Sequence, residues 1–544
     1  MVRLKDDYIT QKAAFDQAGI KVPQYSAQAV QEQTRTNPIW VHFGGGNLFR
    51  CFHAQLAQQL LNQGQLKSGI ILAETYDEEV IDDIYQAYNN RILDVTMKSD
   101  GTFDKELLAS VGVSVYYNVA NPEGWDYLTQ VFQQPSLQLV TFSFTEKGYA
   151  LTDINGKLTT AAQADIIHGP QQPVTNMGAI AHLLYARYQA NQAPLALVST
   201  DNFSQNGKRL QTEILRIAQG WLDHHLVDAD FLNYLQDRHK ITFPWTMIDR
   251  ITPNPATTVA ERLRVDGFED YQILHTQKHT NIAPFGNTEE THYLVIEDDF
   301  PNGRPPLEQA GVMFTDRSTV NDADQMKVTA CLNPLHTALA IFGCLLGYTS
   351  IAQEVANTDL LALIKNLGYQ EDLPVVKDPG IINPRKFLDE LLIKRLPNPN
   401  IPDTPQRIAS DTSQKMAIRY GVTIQHYVDN PQQKVSDLEF IPLIIAGWCR
   451  YLMGVDDHNQ PMTLSPDPLL KQLQPQVTDI HLGANVDIHQ HLQAILSNQE
   501  IFGNDLYTIG LGEKVEHYFA QLIAGPGAVL QTIRQTIQKY GKEA

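Results

Sequence analysis

The chain is short of cysteine and short of positive charge, and each shortage excludes something. Four cysteines stand among 544 residues, at Cys51, Cys331, Cys344 and Cys449, with no C-x-x-C spacing. That excludes a disulfide scaffold and the common zinc modules, and suits buried apolar thiols of a reducing compartment. Lys and Arg number 41 against 61 Asp and Glu, a formal net charge of −20. A phosphate backbone would be repelled, so nucleic acid is not an expected partner, whereas a small anionic substrate needs only a local basic pocket. The opening "MVRLKDDYIT" lacks the apolar centre of a secretory signal. The longest apolar runs, such as "ALAIFGCLLGY" at 338–348, are short for a bilayer. A soluble cytoplasmic protein without a membrane partner is the expectation, and the N-F-S at 202–204 then carries no meaning for glycosylation.

What the chain has is length and alternation. At 544 residues it exceeds one ordinary core, so two domains are expected. In the first half, strand-like runs ("IWVHF", "SGIILAET", "LQLVTFSF", "LALVST", "TMIDRI") alternate with helical patterns such as "LFRCFHAQLAQQLLNQ". Continuous apolar strands separated by helices point to a parallel sheet covered on both faces. After the Pro-, Gly- and acid-rich "IEDDFPNGRPPLEQAG" at 296–311 the patterns turn mainly helical. The expected fold is therefore α/β. A Rossmann-like doubly wound domain covers 1–297, and a mainly α-helical substrate domain covers 298–544.

Between the first strand and its helix lies "FGGGNLFR" at 43–50. A glycine turn there lets a dinucleotide pyrophosphate approach, with free N–H groups of the helix start facing it. Gly44 and Gly46 match the first two positions of G-x-G-x-x-G, but Phe49 holds the third, so a plain structural turn remains open. No G-K-[ST] follows, which excludes a Walker phosphate loop. The second strand ends in "LAETYDEE", where Glu74, with Asp77 as the second candidate, could bond the adenosine ribose and favour NAD over NADP. An acidic helix start explains the same residues equally well.

"MKVTACLNPLHTALAIFGCLLGY" at 326–348 is apolar and helical in pattern, yet carries Lys327, Asn333 and His336. Buried polar groups cost free energy unless satisfied, so these are either satisfied core residues behind an exposed lysine, or a site. "STDNFSQNG" at 199–207 and "DRITP" at 249–253 follow strands, and strand ends form the ligand crevice of a doubly wound sheet.

With "TEKGY" at 145–149, "FPWTMIDRITP" at 243–253, "VIEDDFPNGRPPLEQAGV" at 295–312 and "NPNIPDTPQRIASDTSQK" at 398–415, these pieces run through most of the chain. Together they resemble the polyol-specific long-chain dehydrogenases, the family of mannitol dehydrogenase and the hexuronate reductases. The resemblance implies metal-free, NAD(P)-dependent oxidation of a secondary alcohol on a linear sugar acid or polyol. It implies Lys327 as the acid/base, Asn202 and Asn333 as amides on the reacting oxygen, His336 as a substrate contact, and Asp249 as a residue assisting the lysine. Arg407 and Lys415 would line the substrate pocket. Gly44, Gly45, Gly46, Asn47 and Arg50 would border the pyrophosphate of NAD, with NADP the lesser fit.

The chemistry suits these residue types. A lysine can take a hydroxyl proton once its pKa falls to roughly 7–8, and two amide N–H donors stabilise a developing alkoxide. One departure stands out: Lys327 precedes Asn333 by one residue more than the family's pattern. On a regular helix that turns the lysine by about 100°. Pro334 disrupts the helical bond to Ala330, and a local bulge there would absorb the extra residue. His489 and His491, and the adjacent His224 and His225, have no further ligand pattern, so no metal is expected. "TEKGY" reads either as a border of the nicotinamide or as a structural turn. The expected activity is reduction of a hexuronate ketone such as fructuronate to an aldonate such as mannonate, since Arg407 and Lys415 could pair with a carboxylate. A mannitol-type polyol is the second reading, and a non-catalytic NAD-binding sensor the third. The expected assembly is a monomer or small homo-oligomer.

Overall fold

Six short apolar runs form one parallel sheet: β1 Trp40–Phe43, β2 Ile70–Glu74, β3 Val111–Tyr116, β4 Leu139–Phe142, β5 Leu195–Ser199 and β6 Ile241–Thr242. In this computed structural model, which describes residues 1–153 and 155–542, the order across the sheet is β3-β2-β1-β4-β5-β6. Every neighbouring pair is parallel. This is the doubly wound order, in which the chain reverses direction across the sheet between β1 and β4.

Side chains alternate along each strand, and both faces are apolar. Val41, Phe43, Val140, Phe142, Leu195 and Leu197 belong to one buried cluster. Trp40, Leu72, Leu139, Ala196 and Val198 belong to the other. Helices Asn176–Ala190 and Asn206–Asp223 contribute Ile180, Leu184, Leu210, Ile214 and Trp221 to the first. Helix Ala54–Asn62 contributes Leu56, Leu60 and Leu61 to the second. Burial on both faces is why these strands read as unbroken apolar runs.

Sequence patterning missed several strands of this unit. In the parallel sheet they are β3 and the short β6. Beside it they include the antiparallel pair Ile92–Met97 and Phe103–Leu108, to which Ile20–Lys21 and Phe285–Glu289 add as edge strands. "TMIDRI" does form a strand, Thr246–Asp249, but in a separate three-stranded sheet with Tyr293–Glu297 and Met313–Thr315. That pairing bears on the domain boundary expected near Asp298. The stretch 298–312 is a loop joining two strands of one sheet, so it lies inside the first unit, which comprises Met1–Lys98 and Thr102–Asn321.

The second unit, from Asp322 on together with Ser99–Gly101, is helical. The run Arg317–Leu345 is long and apolar enough by composition to cross a membrane, but 83% of its most apolar stretch is buried inside the protein, as in a core helix. Its C-terminal part, Asn333–Leu345, packs on Phe440–Tyr451, where a Cβ at Gly447 would come within 2.7 Å of the Phe342 ring. Helix Phe440–Tyr451 starts in the interior. There Glu371 accepts the N–H groups of Phe440 at 2.8 Å and Ile441 at 2.7 Å, serving orphan donors that water would otherwise meet. Residues 350–366 form two helices, Ile351–Ala356 and Thr358–Asn366, with Asn357 capping the second.

Glu354 is fully buried beside Gly343, where any side chain would collide with its carboxyl group. Neither carboxyl oxygen has a hydrogen bond among the described residues, and burial, with Asp403 adding to it, pushes the pKa up to about 9. The folded state therefore keeps a proton that the unfolded chain releases above pH ~4.5, so this group lowers stability progressively between pH ~4.5 and about 9. At pH 7 the cost is on the order of 3 kcal/mol. Glu354→Gln is expected to raise the thermal midpoint, and to raise it more at pH 8 than at pH 5. Calorimetry at the two pH values checks this, and equal shifts would contradict it.

Candidate active site

The glycine loop leaves the carboxyl end of β1 at the point where the sheet order reverses. Gly44 has φ +106°, and a side chain on it would collide with the Ser143 carbonyl at the end of β4. Gly45 donates its N–H to Glu74 Oε2 at 2.7 Å. Gly46 differs from both, because a Cβ there would meet nothing within 4 Å. The helix begins at Asn47, so the loop ends in open space at a helix start. Gly44 is thus required by the protein's own packing, Gly45 is tightly surrounded by Glu74, Tyr85 and Val80, and Gly46 borders open space.

The neighbouring side chains are more committed than expected. Glu74 accepts from the N–H groups of Gly45, Thr75 and Tyr76, and burial raises its pKa against those bonds. Asp77 accepts the hydroxyls of Thr276 and Thr280, each at 2.6 Å, pinning the hairpin loop 276–280. Neither carboxylate stands clear for a ribose. Asn47 donates its amide to the Pro253 carbonyl at 3.1 Å. Arg50 is fully buried; its Nη2 donates to the Ala283 carbonyl and its Nη1 to Asn47 Oδ1 at 3.3 Å, so its guanidinium braces the helix start behind the glycine loop.

At the ends of β4 and β5 the chain is clamped. Thr145 sits at φ 64°, ψ 163°, a conformation costly for a β-branched residue. The buried Asp201 holds it there. Its carboxylate accepts the N–H groups of Phe144 at 2.8 Å and Thr145 at 2.9 Å, and the Tyr149 hydroxyl at 2.6 Å. "TEKGY" is thereby a strained turn on the crevice edge. Asn202 follows Asp201 directly and is exposed, while Asp249 ends its strand buried.

In the second unit the expected bulge is present. Residues Lys327–Cys331 form a π turn, with the Leu332 N–H bonded to the Lys327 carbonyl at 3.1 Å, and α-helical bonding resumes when the His336 N–H meets the Leu332 carbonyl at 3.1 Å. The extra residue is absorbed within that turn. Lys327 is buried, not exposed at a helix start, and its ammonium lies 3.5 Å from Asp324 Oδ1. Asn333 and His336 occupy the next turn and are partly exposed.

Burial, helped by Arg395, Arg419 and Arg407, pushes His336 down to about 4 against the pull of Asp403, which leaves it a neutral hydrogen-bonding group at pH 7. Arg407 bonds Asp403 through Nε at 2.9 Å and Nη2 at 2.6 Å. Lys415 donates to the Ser410 and Ile408 carbonyls.

Sequence reasoning missed Asp201, Asp324 and Arg419. The D-x-x-K spacing of Asp324 and Lys327 on one helix face was a readable signal for the second of these. Arg419 in "AIRYG" carried none. Among the described residues no three His, Cys, Asp or Glu side chains gather as a metal site would require. His489 bonds Glu516, and His491 bonds the Gln476 carbonyl.

The first unit is a doubly wound sheet with a glycine loop at its switch point, the architecture of nucleotide-binding dehydrogenases, and the second carries a buried lysine. The chain matches the mannitol dehydrogenase Rossmann domain over residues 38–309 and the mannitol dehydrogenase C-terminal domain over 320–523. It is 48% identical over 538 residues to the D-mannonate oxidoreductase of Thermotoga maritima, covering 98% of this chain and 99% of that protein. It is 26% identical over 484 residues to the D-mannonate oxidoreductase of Escherichia coli, covering 87% and 91%. The solved Pseudomonas fluorescens mannitol 2-dehydrogenase, a ternary complex with NAD and D-mannitol, shares the fold at TM-score 0.70 and 23% identity, covering 99% of this chain and 100% of that one. The chain belongs to the mannitol dehydrogenase family and is an oxidoreductase acting on secondary alcohols.

Because Gly44 is held by backbone conformation and a strand neighbour, Gly44→Ala is expected to lose on the order of 2 kcal/mol or more of stability. Gly46→Ala should leave the thermal midpoint almost unchanged. Denaturant titrations of the two variants check the contrast, and equal losses would contradict it.

Proposed function

We propose that the chain reduces a hexuronate ketone, fructuronate in the first instance, to the aldonate mannonate, using a nicotinamide nucleotide. The observation that carries this is the 48% identity to a D-mannonate oxidoreductase across nearly the whole of both chains. The buried lysine, the partly exposed amide and the cluster of arginines in the second unit fit that chemistry.

The residues at the switch point fit the cofactor, since Gly46 opens onto free space at a helix start and would admit a pyrophosphate. Gly45, Gly44 and Asn47 shape that loop, and NAD is the proposed form because Glu74 and Asp77, though bonded within the protein, put carboxylates at the end of β2 that disfavour the extra phosphate of NADP. When bound, the nicotinamide donates hydride to the ketone or accepts it from the alcohol.

The chain's own part is proton transfer and orientation. Protonated Lys327 gives its proton to the carbonyl oxygen as the alcohol forms, and in oxidation takes it back. Asp324, 3.5 Å from the ammonium, holds it in place. Asn333 donates its amide N–H to the reacting oxygen, and neutral His336 contacts a neighbouring hydroxyl. Asn202 and Asp249 in the first unit keep the roles the resemblance implies, and Arg407 and Lys415 those of substrate-pocket residues.

NADH and NADPH oxidation, followed by absorbance with fructuronate, tagaturonate and fructose, tests the substrate. Fructuronate is expected to give the highest kcat/KM, with NADH preferred. A preference for fructose would make the protein a polyol dehydrogenase, and NADH binding without turnover would make it a sensor. Lys327→Ala is expected to lower kcat by about 10²–10⁴-fold. Gly46→Ala should weaken NADH binding about tenfold, measured by fluorescence titration, without loss of fold.

A further inference from the structure

Arg419 is a half-buried cation of the second unit with no ion pair among the described residues. It lies beside the first turns of helix Asn333–Leu345, where its Nη1 donates to Thr337 Oγ1. The next residue, Tyr420, donates its hydroxyl to the Pro334 carbonyl at 2.7 Å, which fixes this stretch against the helix. Among the described residues that hydroxyl of Thr337 is the guanidinium's one hydrogen-bond partner, and no carboxylate faces it. Burial pushes its pKa down to about 10, as expected for a cation withdrawn from water without a counter-charge.

The neighbouring cations are differently placed. Arg407 holds Asp403 with two bonds, and Lys415 serves backbone carbonyls. A guanidinium has five N–H donors in a planar fork suited to a carboxylate, and Arg419, half-buried with one of them on Thr337, keeps the others for an incoming group. Arg419 therefore waits for an anion.

Its position selects which anion. Thr337 is one turn beyond Asn333 on the same helix, a rise of about 6 Å. The Thr337 hydroxyl donates to the Asn333 carbonyl at 3.0 Å, so the two ends of that turn are joined. In a hexuronate ketone the carboxylate and the ketone stand at opposite ends of the carbon chain. With Asn333 at the ketone oxygen, a helical turn is comparable to the distance across such a substrate.

We infer that Arg419 binds the substrate carboxylate, and so is the residue that selects sugar acids over neutral polyols. This rests on the proposed uronate activity. Steady-state fructuronate reduction by wild type, Arg419→Gln and Arg419→Lys tests it, with NADH affinity measured in parallel to show that each variant is folded. The glutamine variant is expected to raise KM by about 10- to 100-fold with kcat held within about threefold, and the lysine variant to recover part of the loss.

If Arg419→Gln does not fold, Thr337→Val, which removes the guanidinium's one anchor, is expected to raise KM in the same sense. An unchanged KM in an enzyme that reduces fructuronate overturns the assignment and leaves the proposed function standing. A wild-type enzyme that reduces no uronate removes both.

Discussion

An ammonium group withdrawn from water is stable only beside an opposite charge. In this chain that constraint falls on Lys327 and Asp324, whose side chains are 2% and 8% exposed. The pair sits in an otherwise apolar helical run that forms interior packing. The π turn at Lys327–Cys331 determines which way the lysine points, and Asp324, three residues earlier, follows from the same helix face. Downstream, the regular helix from Asn333 carries Asn333, His336 and Thr337, and Thr337 in turn anchors Arg419. The local departure from α-helical geometry thus sets the register for the polar side chains of the second unit, and π turns of this kind are often found at functional sites.

In the first unit the equivalent constraint is steric. β1 and β4 lie side by side where the sheet order reverses, and Gly44 must pass the Ser143 carbonyl with a positive φ. No side chain fits there, so the loop swings out and Gly46 opens onto space. Asp201 performs a parallel task at the ends of β4 and β5, holding Thr145 in a strained conformation through paired backbone bonds. The switch-point edge is built from backbone geometry stabilised by buried carboxylates, with Glu74, Asp77 and Asp201 all engaged inward.

Much of this was legible in the sequence because its signals are local. Five of the expected strands exist, since two-sided burial demands unbroken apolar runs. Setting the spacing of Lys327 and Asn333 against the pattern of the family the chain resembles, with Pro334 beyond, was enough to expect a bulge. What was not legible depends on partners distant in sequence. Glu74 reads as a ribose ligand until the backbone N–H groups folded around it are seen. Arg50 reads as a direct phosphate contact until its guanidinium is seen bonded to the Ala283 carbonyl and to Asn47. The pair Ile92–Met97 and Phe103–Leu108 mixes charged residues into its strands and shows no clean alternation. Arg419 looks like any surface arginine, because its lack of a carboxylate partner is a property of the folded neighbourhood alone.

The central claim is that Lys327 carries the proton of the reaction. Chemical rescue tests it most directly: fructuronate reduction by Lys327→Ala measured against rising concentrations of small primary amines of differing pKa. The account predicts turnover that is nearly absent without amine, rises with its concentration and varies systematically with amine basicity. A Lys327→Ala enzyme that turns over near the wild-type rate with no amine present would contradict it.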